Sequence, residues 1–187
     1  MPMFDLTLPE GALDPEARAQ AVERLTSALL RHEGAPEDNP LIRAMAWGFV
    51  HELPPEAIAI GGRPAARPVY RVLLTVPKGT LVHGPGPVGR TSRHNLVREV
   101  TEILLEAEGT DYSPEEALRV YCIVTEVEDG YWGGFGTTFR MQDIVAVGMP
   151  EAGDTELARE VREVAPAVVA WQFGERAPAG VTPASAP

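Results

Sequence analysis

The sequence predicts an α/β (α+β) fold. It consists of two tandem β-α-β units that pair into one four-stranded sheet, with two helices on one face and a further helix at the C-terminus. Three observations lead there. The first is an internal repeat, in which three blocks recur in the same order. DLTLPEGAL (5–13) matches LLTVPKGTL (73–81) at a shift of 68, through Leu6/Leu74, Thr7/Thr75, Pro9/Pro77 and Gly11/Gly79. LTSALLRHEG (25–34) matches VTEILLEAEG (100–109) at a shift of 75, including Glu33/Glu108 and Gly34/Gly109. FVHELPPEAIAIGG (49–62) matches IVTEVEDGYWGGFG (123–136) at a shift of 74. The second observation is strict apolar alternation at the head of each copy. The third is a helix-length apolar stripe between two strands, the signature of a parallel, right-handed crossover.

The elements follow in order. Phe4, Leu6 and Leu8 alternate with Asp5 and Thr7, which reads as a half-buried strand. Asp14-Pro15-Glu16 then supplies a cap, a proline at the first helical position and an acid in the first turn. Val22, Leu25 and Leu29 recur at helical spacing, and Gly34 ends the helix. Ala46 to His51 reads as the second strand. In the second copy the strand spans 69–76 and the helix about 92–108, with Leu96, Val100, Ile103 and Leu104 on one face. Ser113-Pro114-Glu115-Glu116 predicts a short capped turn of helix, and Val120 to Val127 the last strand of the sheet. Thr155 to Ala170 carries Leu157, Val161, Val164 and Val168 as an amphipathic stripe. The Pro/Ala-rich tail beyond Arg176 predicts disorder. The domain division is 1–68, 69–150 and 151–187. One face of such a sheet keeps apolar residues that the two helices do not reach, so a homo-oligomer is expected, and a trimer suits a two-copy chain.

Composition narrows the function. The formal charge of −11 and a pI near 4.8 argue against nucleic acid and against an anionic membrane surface as partners. A single cysteine, Cys122, excludes an intramolecular disulfide framework and a cysteine-rich zinc site. The four histidines are scattered, so neither a metal nor any other cofactor is expected. The start of the chain has no basic region and no apolar signal segment, and no apolar run is long enough to span a bilayer, so a cytoplasmic protein is expected.

Eighteen prolines and eighteen glycines are more than usual for this length, and most mark turns. Pro15 and Pro114 start helices, and Pro9 and Pro77 close strands. Pro2 is different, because it follows the initiator methionine. Removal of Met1 leaves a secondary amine at the head of a buried strand. A terminal amine titrates near 7.7–8.0, and apolar walls or a nearby cation bring it toward neutrality, where proton transfer is most efficient.

A β-α-β unit headed by Met-Pro, with a first strand ending in L-P-E-G, a second ending in T-E-V and a hairpin YWGGFG, resembles the tautomerase superfamily. That superfamily includes 4-oxalocrotonate tautomerase, malonate semialdehyde decarboxylase and the chloroacrylate dehalogenases. The resemblance covers roughly residues 2–140 as two fused copies, and WGGFGTTFRMQDI is most similar to the end of the decarboxylases. It implies the tautomerase fold, an amino-terminal proline as acid–base catalyst, and arginines that bind the carboxylate of a small anionic oxo-acid. Pro2 carries over directly. In fused members the second copy completes the site, here through Pro77, Lys78, Thr80, Tyr121 and Trp132, the last as the aromatic wall. The family's arginines are missing. Ala12, Pro77 and Thr80 stand near the ends of the first strands, Trp47 and Tyr121 on the second strands, and Tyr70 at the head of the second copy. Arg71, Lys78, Arg119 and Arg140 are the cations that stand as substitutes, with Tyr121 as a hydrogen-bond donor. The expected reaction is tautomerisation of a 2-oxo acid or enol, with decarboxylation or dehalogenation as variants. The competing expectation is a non-catalytic binding or assembly protein on the same fold.

Three further features have simple readings. The insertion 82–90 contains G-x-G-x-x-G (Gly84, Gly86, Gly89), but Pro85 and Pro87 remove two amides that a phosphate loop needs. A surface loop is expected there, with Arg90, Arg93 and His94 at the following helix start as the residues an anion would meet. Cys122 reads as a core residue. Glu52 and Glu126 close equivalent strands and read as structural.

Overall fold

The computed structural model describes residues 2–82 and 90–174. β1 (Met3–Pro9) leads into α1 (Pro15–Glu33), whose N-cap Asp14 accepts from the Ala17 amide at 2.8 Å. Gly34 ends α1 with φ of 74°, a conformation that glycine adopts without a Cβ penalty. A short α2 (Pro40–Ala44) precedes β2 (Trp47–Leu53), and a two-stranded ribbon, β3 (Ala59–Ile60) and β4 (Arg63–Pro64), ends the first copy. The second copy has β5 (Tyr70–Pro77), α3 (Arg90–Ala107), α4 (Pro114–Ala117) and β6 (Val120–Val127). The hairpin β7 (Trp132–Gly134) and β8 (Thr137–Phe139) follows, then α5 (Met141–Gly148) and α6 (Glu156–Phe173).

The sheet order is β2-β1-β5-β6. β1/β2 and β5/β6 are parallel, as the crossovers require, and the two copies join antiparallel along β1/β5. Helices α1 and α3 pack side by side on one face. Phe4, Leu6 and Leu8 from β1 and Val72, Leu74 and Val76 from β5 meet Leu25 and Leu29 of α1 and Leu96, Val100 and Leu104 of α3. These side chains are essentially excluded from water. At about 25 cal/mol per Å² of apolar surface this burial is the main stabilising term.

Besides the β3/β4 ribbon, the sequence missed two helices, α2 and α5. Together with α6 they form a second apolar cluster of Leu30, Leu41, Ile42, Phe139, Ala146, Val147, Ala158 and Val161. That cluster sits at the C-terminal end of α1 and carries the helices that wall the site described next. Boundaries also differ modestly: α3 begins at Arg90 rather than 92, and α6 runs on to Phe173. Beyond the end where α6 lies opposite Met3, Trp47 and Thr75, no described helix covers the other face of the sheet, and Phe49, Tyr121 and Ile123 lie exposed on it. The loop signature at 84–89 and the tail beyond Arg176 lie outside the described residues. No described helix is long and apolar enough to cross a membrane.

Candidate active site at the head of the first strand

Pro2 is buried directly before β1. The Trp47 amide donates to the Pro2 carbonyl at 3.2 Å, and the parallel register Met3↔Trp47 sets the Trp47 side chain beside it. The antiparallel register Met3↔Thr75 brings the end of β5 to the other side. A cavity of about 550 Å³ opens here, lined by Pro2, Trp47, Thr75, Tyr131, Trp132 and Trp171 among others. Among the described residues, none that lines it has a charged side chain.

Three elements build the walls. The β7/β8 hairpin turns through Phe135 and Gly136, with φ of 54° and 73°. Two consecutive positive φ values match the strand twist in a two-residue hairpin loop. Phenylalanine is an uncommon residue for that conformation, and here its side chain lines the cavity. The second wall is α6, which contributes Val161, Val164, Val168 and Trp171 from successive turns of one face. Its N-cap is Thr155, whose Oγ1 accepts from the Ala158 amide at 3.1 Å. The third is α2, which contributes Leu41 and Ala44.

A smaller cavity of about 60 Å³ lies on the opposite side of Pro2. Pro2 and Met45 line both cavities, while Glu33 and Thr80 line only the small one. Glu33 is 8% exposed, and burial pushes its carboxyl up to about 7, against the opposing charge of the chain's terminal amine and a hydrogen bond from Thr80 at 3.1 Å. A carboxyl with a displaced pKa in a pocket beside a candidate base is a functional-site signal.

The residues expected to form the site divide into two groups. Pro2 and Trp132 line the same cavity. Lys78 lies at the same end of the sheet, exposed, with Nζ 2.6 Å from Glu128 Oε1. Arg140 is exposed between Phe139, which lines the large cavity, and Met141, which lines the small one. Its amide is held by Asp143 Oδ2 at 2.9 Å, which caps α5. Arg71, Tyr121 and Arg119 are not brought to Pro2 within one chain. Arg71 pairs in register with Thr7 and Tyr121, five residues along β1 from Pro2, about 16 Å at strand rise. Arg119 is buried in the second copy. Its Nη2 lies 2.7 Å from Glu108 Oε2 and 2.6 Å from Glu116 Oε2, and Nη1 donates to the Pro68 carbonyl at 2.6 Å.

Glu126 accepts from Arg93 at 2.9 Å and from the Gly79 amide at 3.3 Å; burial opposes its ionisation, but these partners hold its pKa below the usual carboxylate value. Its counterpart Glu52 is ion-paired with Arg18. Burial pushes the Cys122 thiol up to about 12, so it is not a nucleophile at neutral pH. Among the described residues no group of three potential ligands is placed to hold a metal.

Sequence reasoning did not single out Tyr131, Trp171 or Met45, and it treated Trp47 only as the replacement for an arginine. It recorded Glu33 only as half of the Glu33/Glu108 match. That match was the available signal, because a conserved position within a repeat invites comparison of its two surroundings.

No family model matches the chain, and no curated protein does. Solved structures do. A member of the cis-3-chloroacrylic acid dehalogenase family superposes with a TM-score of 0.60 at 15% identity, covering 86% of this chain and 99% of that one. A fused 4-OT described as an asymmetric trimer gives 0.55 at 19% identity, covering 73% and 94%. The macrophage migration inhibitory factor of Toxoplasma gondii gives 0.54 at 12% identity, covering 73% and 99%. The chain therefore shares the fold of these structures, with two β-α-β units in one chain.

Proposed function

We propose that the chain is a tautomerase-type enzyme in which Pro2, freed by removal of Met1, is the general base and acid for an enolisable 2-oxo acid or enol. The observation that carries this reading is the position of Pro2: it heads a buried strand and forms part of the wall of an uncharged cavity between Trp47 and Trp132. Apolar walls disfavour the ammonium form, so the amine is neutral near neutral pH and accepts a proton. The apolar body of the substrate fills the cavity. Its carboxylate stays at the mouth, where Arg140 or Lys78 meets it, because an unpaired charge in such a cavity is costly.

The bare sheet face supports assembly into a homo-oligomer, and the trimer described for the fused 4-OT relative suggests the number. In such an assembly a neighbour's Arg71 and Tyr121 are further candidates for the carboxylate. Tautomerisation is the reaction the fold neighbours support first; decarboxylation and dehalogenation use the same proline.

The test is ketonisation of phenylenolpyruvate by wild type and Pro2→Ala, with intact mass to verify loss of Met1. Loss of the base lowers kcat/KM by about 10²–10⁴; equal rates remove Pro2 from the reaction. The second reading, a binding protein without catalysis, has one observation in its favour: among the described residues no cation lines the cavity. It predicts saturable binding of the enol with no turnover.

A further inference from the structure

The internal repeat gives a control for the environment of Pro2. By the three shifts, Pro2 corresponds to Tyr70, Glu33 to Glu108, and Met45 to Arg119. In the second copy the Glu108 carboxylate is neutralised by Arg119, 2.7 Å away, beside Tyr70. In the first copy the cation is gone. Met45 stands in the place of Arg119, and Glu33 lines a small cavity whose other lining residues are apolar except for Thr80. Pro2 stands in the place of Tyr70 and lines that same cavity.

Among the described residues, no other side chain around Glu33 offers a replacement cation. Helices α2 and α5 present Ile42, Met45, Met141, Ile144 and Val145. Within α1, Arg31 is paired with Glu37 and Glu99, and His32 meets Glu99 at 2.9 Å. From the segment after β5, Lys78 is paired with Glu128, and Glu126 with Arg93. Thr80 is the one polar side chain on Glu33. Its Oγ1 lies 3.1 Å from Glu33 Oε1 and 2.9 Å from the Pro77 carbonyl. A hydroxyl has one proton, and the carbonyl only accepts. When Thr80 donates to Pro77, it accepts from Glu33, which must then be the protonated acid.

We infer that Glu33 is the proton partner of Pro2, a positioning residue beside which the amine of Pro2 takes the ionic place that Arg119 fills beside Glu108 in the other copy. The pair shares one proton. With the proton on Glu33, both groups are neutral and Pro2 is a base. With the proton on Pro2, the pair is carboxylate and ammonium, and the base is occupied. The small cavity has room for a water to connect the two. Glu33 faces away from the large cavity, so it acts through Pro2 and not on substrate. This inference rests on the proposed free amine of Pro2.

The experiment is a pH titration of Pro2 by ¹⁵N NMR in proline-labelled wild type, Glu33→Gln and Glu33→Asp, alongside pH profiles of kcat/KM. Glutamine keeps the shape and cannot ionise, so the Pro2 midpoint falls by about one pH unit, and the rising limb of the rate profile falls with it. Aspartate keeps the charge but withdraws it by one methylene, and gives a smaller shift in the same direction. Circular dichroism at each pH verifies that both variants fold. Superimposable titrations in all three proteins overturn the inference. A shifted Pro2 midpoint with a fully active Pro2→Ala would sustain it and remove the proposed catalysis instead. A chain that retains Met1 has no amine to titrate; both then fall, and intact mass identifies that case.

Discussion

Tyr70, Glu108 and Arg119 close the head of the second copy as a buried polar knot, while Pro2, Glu33 and Met45 leave the head of the first copy open between two cavities. Two residues further along the same strands, the two copies differ in a second way. Phe4 lies against Gly48 across the β1/β2 register, and Val72 lies against Cys122 across β5/β6. Each pair combines one larger and one smaller side chain, or two medium ones, so that similar volume fills both halves of one core. Packing was thus kept equivalent while the polar chemistry was not. A duplicated unit can devote one head to stability and the other to function only if the core beneath them stays matched, and this is what the registers show.

The largest effect expected is on the closed head. Arg119→Met leaves Glu108 without its cation, while Arg67 still holds Glu116, and should cost about 3 kcal/mol in urea unfolding, the low end of the range for breaking a buried ion pair. Turnover per folded molecule should change little. A large fall in kcat/KM with unchanged stability would make Arg119 a substrate residue and undo the division between the two heads.

The open head should show its own signature in stability against pH. The folded pKa of Glu33, about 7, lies above its ordinary 4.5, so the native state holds the extra proton between those values. Stability therefore falls as pH rises from about 4.5 through 7, by less than the about 3 kcal/mol that 1.4 kcal/mol per unit would give, because the proton Glu33 keeps is partly offset by the one its partner Pro2 gives up. Glu33→Gln should lack that fall and be more stable than wild type at pH 8, with the two converging near pH 4. Parallel curves would mean that Glu33 is compensated as fully as Glu108 is.

The shared core is the next test. A Cβ on Gly48 would lie 2.3 Å from the Phe4 ring, which is buried in the sheet–helix core. Gly48→Ala should cost about 1–3 kcal/mol through overpacking. Phe4→Val combined with Gly48→Cys imports the solution of the second copy and should recover most of that loss. If the double variant is no better than the sum of its parts, the two halves of the core are not interchangeable.

These contrasts also explain what the sequence disclosed. The repeat, the alternation in Phe4–Leu8 and the Asp14-Pro15 and Ser113-Pro114 caps are local signals, and the four-stranded sheet and its helices followed from them. α2 carried the same kind of signal in Asn39-Pro40, with Asn39 Oδ1 accepting from the Leu41 amide at 3.0 Å, but at five residues it has no periodicity to read. The eight-residue α5 starts at Arg140 with no side-chain N-cap acceptor. Of the candidate site, Pro2, Trp132 and Thr80 were legible in the sequence. Its other walls come from Trp47, Tyr131 and Trp171, which are far apart in sequence and meet because α6 folds back across the sheet end. The cations were misleading for a related reason: a sequence shows that Arg119 is present, but not that Glu108 and Glu116 already hold it.

The smallest effect separates two cations at the open head. Lys78 is exposed and paired with Glu128, a geometry that rarely contributes measurably to stability. Lys78→Ala should therefore leave the melting temperature unchanged, as should Arg140→Ala if the Asp143 cap on the Arg140 amide persists, because that bond uses the backbone. Their kinetics should differ. Arg140 is flanked in sequence by a lining residue of each cavity, whereas the charge of Lys78 is already shared with a carboxylate. The increase in KM for an anionic enol should accordingly be larger for Arg140→Ala, with kcat nearly constant, since binding at the mouth is the same in ground and transition states. If Lys78→Ala gives the larger increase, the substrate breaks the Lys78–Glu128 pair on entry, and the mouth of the cavity lies on the β5 side of Pro2. If neither variant raises KM, the carboxylate is met by another chain of the oligomer, and Arg71 with Tyr121, exposed on the bare face, are the next pair to substitute.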